Sequence, residues 1–168
     1  MKNYFFGAAA RVLFPVLLAG AALTATSCSK DEPATAVQQD FSAADDATLQ
    51  KYLADNKITN AKKQTSGLYY VPVATNPNGL QATAGRTVTV KYTGTLLNGS
   101  QFDAGTYTFP LGAKQVIAGW DEGIALMRLS EKSTLLIPSG LAYGSQSPSS
   151  AIPPNSILRF EVELLKIQ

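Results

Sequence analysis

Two stretches of this chain alternate apolar and polar residues with a period of two, and nothing else in it limits the fold as tightly. In "RTVTVKYTGTL", Val88, Val90 and Tyr92 fall on one face, with Thr87, Thr89 and Lys91 on the other. In "ILRFEVELLKI", Phe160, Val162 and Leu164 alternate with Arg159, Glu161 and Glu163. Successive side chains take opposite sides of the backbone only in an extended strand, so each stretch reads as a strand with one face on a core. Slipping either by one residue would turn its apolar set to water, which specifies the register. "LYYVPV" adds a strand ahead of the turn "TNPNG", Asn98-Gly99 is a hairpin dipeptide leading into a short "SQFD" strand, and "STLLIP" supplies another. Only one helix fits among them, roughly Ala118 to Met127. The expectation is an α+β domain over 67–168, with an antiparallel sheet packed on one short helix.

Ahead of that domain the pattern changes twice. Residues 1–27 carry Lys2 and Arg11, an apolar stretch from Val12 to Ala25, and small residues running into "TATSC". This is the anatomy of a secretory signal peptide, too short and wrongly flanked for a spanning helix. With Cys28 directly behind, it resembles a bacterial lipoprotein signal peptide, which makes Cys28 the acylated first residue of the mature chain. A chance buried thiol is the alternative. Lipidation implies a place in the cell envelope, anchored to the outer membrane on its periplasmic side or at the cell surface. Each buried methylene of such an anchor contributes about 0.8 kcal/mol. Residues 28–41 read as the acylated Cys and a flexible tether. Within them "SKDEP" resembles a surface-export signal and reads equally well as solvated linker. In "SAADDATLQKYLADNKI", Ser42 precedes Asp45 as a loose capping box, and Leu49, Tyr52 and Leu53 recur at helical spacing. A helix ending near Asn56 is expected inside an N-terminal extension spanning 42–66. Its apolar stripe is too narrow to stand alone, so it packs on the domain or on a partner, with a monomer favoured over a dimer.

The composition excludes whole classes of chemistry. There is no His, which removes Ser-His-Asp triads, Cys-His pairs and His-based metal sites together. A single Cys allows neither an intrachain disulfide nor a thiolate cluster. Neither Gly-x-Gly-x-x-Gly nor a Walker loop occurs, so no cofactor and no metal are expected. A net charge of +2 without a dense Lys/Arg cluster gives nucleic acid no footprint. The neighbouring acids Asp45-Asp46 and Asp121-Glu122 do not face each other on a helix and read as solvated charges. What remains is aromatic: Tyr92, Phe102, Tyr107, Phe109, Trp120, Tyr143 and Phe160, with one acid, Asp103, inside the pattern. Core packing accounts for most aromatics in a small sheet domain. Tyr107 and Tyr143, however, lie in Gly/Ser-rich loop context, where packing demand is weak and binding is common.

Four segments, "VKYTGTLLNGSQFD", "FPLGAKQVIAGWDEG", "AYG" and "IPPNSILRFEVELL", in this order and spacing, resemble an FKBP-type peptidyl-prolyl cis-trans isomerase of the exported bacterial lipoprotein kind. The resemblance runs from about Gly67 to Gln168. It implies a twisted antiparallel sheet wrapped around one short helix, with an apolar pocket between them. The residues it assigns to catalysis are Tyr92, Asp103, Ile117, Trp120, Tyr143 and Phe160; Phe102, Tyr107, Val116 and Ile152 would bind substrate. Trp120 would be the floor, and Ile152 the rim.

The implied mechanism needs no nucleophile. Rotating an X-Pro bond breaks amide resonance and costs about 18–20 kcal/mol, and a pocket shaped for the twisted amide favours that state. The Ile117 N–H and the Tyr143 hydroxyl would hold substrate carbonyls, while Asp103 would orient the pocket electrostatically. The implied partners are proline-containing polypeptides, with macrolide immunosuppressant-type inhibitors as further candidate ligands. Three departures stand out: "AGT" between Asp103 and Tyr107 is short, no Lys or Arg occurs from Ala104 to Ala113, and "GSQSPSSAIPP" makes a polar rim. Two readings follow: an isomerase assisting folding in the envelope, or a module that binds Pro-containing segments with little turnover.

Overall fold

A computed structural model describes residues 42–168; the stretch read as a signal peptide over 1–27, Cys28 and the stretch read as a tether to residue 41 lie outside the described residues. The elements in chain order are α1 (Ser42–Asp55), β1 (Lys62–Lys63), β2 (Tyr69–Ala74), β3 (Thr87–Leu96), β4 (Gln101–Pro110), α2 (Ala118–Ala125), β5 (Lys132–Ile137), a 3₁₀ turn (Ser139–Leu141) and β6 (Leu158–Ile167). The six strands form one antiparallel sheet in the order β1-β2-β5-β6-β3-β4. This is the sheet-and-one-helix α+β architecture expected of the alternating stretches. Val88 and Val90 on β3 and Phe160, Val162 and Leu164 on β6 all lie in the main core.

β5 explains why the sheet carries a helix on each side. Its apolar run does not alternate with polar residues: Leu135 and Ile137 join the core that holds α2, while Leu136 between them joins a second cluster with Leu49, Tyr69 and Val71. Both faces of the strand are thus covered, as in sheets layered on two sides. α1 supplies the second cover. Leu49 is fully buried there, with Tyr52 and Leu53 packed alongside. α1 therefore docks on this domain's own sheet.

On the other face, α2 rests directly on β5 through two glycines one helical turn apart. A Cβ built on Gly123 would sit 2.7 Å from Leu135 Cδ1, and one on Gly119 would meet the Ile137 side chain just as closely. Real carbon atoms do not approach so near, so hydrogen at these two positions is what lets the helix touch the strand.

Local structure departs from the sequence reading at five places, the first being the Asp45-Asp46 pair, where Asp45 is buried rather than solvated and Asp46 accepts from Tyr69 Oη at 2.8 Å. β4 runs ten residues, where only the short "SQFD" strand was expected. It is an exposed edge strand, so most of its side chains are free to be polar or small. α2 stops at Ala125, because Leu126 and Met127 donate to Gly123 and Ile124 in a tightened last turn, and the Met127 carbonyl is then taken by the Ala82 N–H. The two-residue β1 lies inside the segment read as helical extension, paired with β2. Asp121 and Glu122 are not simply solvated: Glu122 accepts from Ser66 Oγ at 2.8 Å, and Asp121 organises the loop before α2.

Candidate active site

The ten site residues named from the sequence come together. Tyr92, Phe102, Asp103, Tyr107, Val116, Ile117, Trp120, Tyr143, Ile152 and Phe160 all line one cavity of about 630 Å³. Lys114 and Gln115 line it too and were missed as site residues, while Pro148 and Ser149 come from the "GSQSPSSAIPP" stretch read as its polar rim. Lys114 and Gln115 stand inside the quoted "FPLGAKQVIAGWDEG" run, directly before Val116, so their loop position was the available signal.

The β-strand wall depends on one irregularity. Gly94 pairs with Asp103 and Thr95 with Gln101, which leaves Phe102 as the extra residue of a β-bulge. Strict alternation would send Phe102 and Asp103 to opposite sides, whereas a bulge re-aims one of them. Both therefore reach the cavity. Phe102 meets Phe160 edge-on at 5.5 Å, directly over Gly94, where any Cβ would lie 2.7 Å from Phe102 and 2.8 Å from Phe160.

Trp120 occupies the third helical position of α2, and its exposure is only 5%. Tyr92 and Phe160 stand nearly perpendicular to it, at 77° and 81° with centroids 4.9 and 5.2 Å away, so they form walls rising from a floor. Phe109 packs obliquely against it at 5.9 Å. The indole N–H has no acceptor among the described residues. Gly119, beside Trp120, faces Ile137 of the sheet.

The segment from Gly112 to Ile117 is held by one carboxylate. Asp121 Oδ1 accepts from the Gly112 N–H at 2.8 Å, and Oδ2 from the Lys114 N–H at 3.0 Å. Lys114 takes a left-handed φ of 56°, a conformation that costs a non-glycine residue about 1–2 kcal/mol. The clamp offsets that strain and leaves the Ile117 N–H unbonded among the described residues, at the cavity's edge.

Tyr92 Oη donates to Asp103 Oδ2 at 2.8 Å. Burial, and then the adjacent carboxylate, push the Tyr92 phenol up to about 12, so it stays a neutral donor at physiological pH. Asp103 is on the exposed edge strand, and no cation pairs with it among the described residues. Tyr107, expected in loop context, is in β4, 46% exposed and stacked at 5.7 Å on Phe109. Tyr143 is in a loop as expected, 37% exposed, and its hydroxyl donates to nothing among the described residues. Ser147 Oγ donates to the Ile152 carbonyl at 2.8 Å, which fixes the rim segment carrying Ile152.

The cavity thus offers an aromatic floor and walls, one neutral phenol tied to a carboxylate, and unengaged donors in the Ile117 N–H, the Tyr143 hydroxyl and the Trp120 indole N–H. It offers no nucleophile with a base beside it. Such a site binds an apolar ring and carbonyl oxygens.

A family model described as FKBP-type peptidyl-prolyl cis-trans isomerase matches residues 79–165. "Peptidyl-prolyl cis-trans isomerase Fkbp12" of Drosophila melanogaster is 40% identical over 107 residues, covering 61% of this chain and 99% of that protein. An "FK506-binding protein" of Neisseria meningitidis serogroup B is 46% identical over 94 residues, covering 53% of this chain and 86% of the relative. Among solved structures, FkpA from Escherichia coli is similar with a TM-score of 0.64 and 35% identity, over 76% of this chain and 61% of that one. The chain therefore spans less than two thirds of FkpA. A peptidyl-prolyl cis-trans isomerase from Pseudomonas syringae aligns with the same TM-score of 0.64 at 28% identity, over 76% of this chain and 96% of its own.

Proposed function

The chain belongs to the FKBP-type peptidyl-prolyl cis-trans isomerase family, and from that premise we propose that its aromatic cavity catalyses X-Pro rotation in exported proteins of the cell envelope. The observation that carries this is the floor-and-wall arrangement of Trp120, Tyr92 and Phe160 around a cavity of about 630 Å³. A proline ring lies on the indole between the two walls. The Ile117 N–H and the Tyr143 hydroxyl receive the flanking carbonyls. The Tyr92–Asp103 pair fixes the polar edge of the pocket without moving a proton. Phe102, Tyr107, Val116 and Ile152 complete the apolar surround, which holds water away from the amide.

Catalysis is then differential binding. A twisted amide carries less resonance and less charge on oxygen than a planar one, so a dry apolar site favours it over the ground state. Uncatalysed isomerisation takes tens to hundreds of seconds, slow enough to limit folding. The FK506-binding relatives make macrolide immunosuppressant-type molecules candidate inhibitors of the same cavity.

Cleavage of the 1–27 signal, acylation of Cys28 and outer-membrane anchoring belong to this proposal, as does a monomeric state, which the docking of α1 on its own sheet favours. The deciding experiment is NMR exchange spectroscopy on a short X-Pro peptide with the detergent-solubilised full chain. Exchange above the buffer rate supports the isomerase. Peptide binding with a rate equal to buffer leaves only a binding module. Palmitate labelling that persists in Cys28→Ala would refute the anchor.

A further inference from the structure

Asp45 is a buried carboxylate that the pocket, as described so far, does not use. It lies on α1, outside the residues 79–165 matched by the family model, and is 7% exposed. Its Oδ2 accepts two hydrogen bonds from one residue far along the chain: the Ser139 N–H and the Ser139 Oγ–H, each at 2.7 Å. Charge-assisted bonds of this length are the stronger kind, and a buried carboxylate holds its donors firmly because an unpaired one is costly.

Ser139 in turn holds the pocket's tyrosine. Its carbonyl accepts from the Ala142 N–H at 3.0 Å and from the Gly144 N–H at 2.9 Å, the two residues that flank Tyr143. The Gly144 carbonyl then takes the Asn155 N–H at 2.7 Å. The Tyr143 side chain has no hydrogen bond of its own among the described residues, and its carbonyl takes only the Gln146 N–H at 3.0 Å. Its position is therefore set by the backbone on either side, and that backbone hangs on Ser139.

We propose that Asp45 is a positioning residue for the isomerase pocket: it pins Ser139, whose carbonyl clamps both neighbours of Tyr143. This makes α1 a working part of the site, and it rests on the reading of the cavity as an isomerase pocket. Asp46 beside it also bonds across the dock, accepting from Tyr69 Oη at 2.8 Å, but reaches no part of the Ser139–Gly144 turn. Tyr69→Phe therefore loosens the same dock without touching the clamp.

The test compares the full chain with Asp45→Ala, Asp45→Asn and Tyr69→Phe, measuring kcat/KM on an X-Pro peptide and amide hydrogen exchange at Ala142 and Gly144. Asp45→Ala is expected to lower kcat/KM about ten-fold, since displacing a substrate-holding group by as little as 1 Å can cost up to about 100-fold. Exchange at Ala142 and Gly144 should accelerate with it, while β5 and β6 amides stay protected. Asp45→Asn, which keeps an acceptor, and Tyr69→Phe should both stay within about two-fold of wild type. If Asp45→Ala does not fold, Ser139→Ala removes the hydroxyl bond alone and reads the same two quantities. A kcat/KM within two-fold in Asp45→Ala, or in Ser139→Ala where it stands in, overturns the proposal, as does lost activity without faster exchange at Ala142 and Gly144. Absence of turnover in the wild type would instead overturn the isomerase reading itself.

Discussion

Gly119→Ala is expected to lift the pocket floor. The added methyl would lie 2.9 Å from Ile137 Cδ1 and 3.1 Å from Cγ1, and closer still to Cγ2. Ordinary contact begins near 3.4 Å, so a shift approaching 1 Å is needed, and it must come from α2. Ile137 cannot yield: it is fully buried, and a β-branched side chain is stiff at χ1. Overpacking of this kind costs about 1–3 kcal/mol. Replacing Gly by Ala returns less than about 1 kcal/mol, because the position is in the first turn of α2. The net expectation is about 1–2 kcal/mol of lost stability by urea unfolding. Because Trp120 follows directly, kcat/KM of the folded protein should fall between about 10- and 100-fold. Ile137→Ala removes all three clashing carbons and alone costs about 2–5 kcal/mol as a cavity. In the double variant the new methyl fills part of that cavity, so the two changes should couple favourably by about 1–2 kcal/mol. Additive losses, or a Gly119→Ala protein as active as wild type, would refute the claim that glycine here exists for helix-to-strand contact.

Asp121→Ala should release the Gly112 and Lys114 amides, costing about 1–3 kcal/mol and raising KM more than it lowers kcat, with Asp121→Asn intermediate. Steady-state kinetics beside urea unfolding would check it; an unchanged KM would mean the loop stands without its carboxylate. Tyr92 should ionise well above a free phenol. Since its folded value of about 12 exceeds the ordinary 10.0, the stability it contributes is complete below pH 10 and drains away as pH rises toward 12. Absorbance titration near 295 nm of wild type against Tyr92→Phe should lose one late-titrating step, and loss of a step near 10 would contradict the partly buried donor. Tyr143→Phe should weaken peptide turnover less than Phe160→Ala or Asp103→Val, because it removes one hydroxyl while the others remove a wall or its polar tie. Equal losses would argue against a mainly apolar pocket.

The strands that carry a buried face announced themselves. β3 and β6 alternate because one side of each meets the core, and their apolar positions were all correctly placed. β4 announced itself only at its start. As an edge strand with little to bury, it follows no hydrophobic period, and "AGTYT" reads as loop although it is paired throughout. The site shows the same division. The site aromatics were legible through the segments that carry the resemblance; of them only Tyr143 lies in a loop, the rest on strands or α2. Polar groups acting on backbone were not: Asp121, Asp45 and Glu122 look identical to solvated acids until the chain folds and brings distant N–H or hydroxyl groups to them. Sequence spacing has no access to a partner 94 positions away.

One missed clue was nonetheless local. A strand open to water on one face must alternate, yet "LLI" at 135–137 does not. Leu136 points away from α2, so its burial demands a second layer, and among the described residues the 42–55 helix supplies the apolar stripe that provides it. The run of three apolar residues therefore already required α1 to dock on β5. That docking has a consequence for the site, because β5 leads directly into Pro138 and Ser139. The helix that covers Leu136 brings Asp45 to the start of the turn bearing Tyr143. Burial of one leucine and placement of one pocket tyrosine are, in this fold, the two ends of the same short lever.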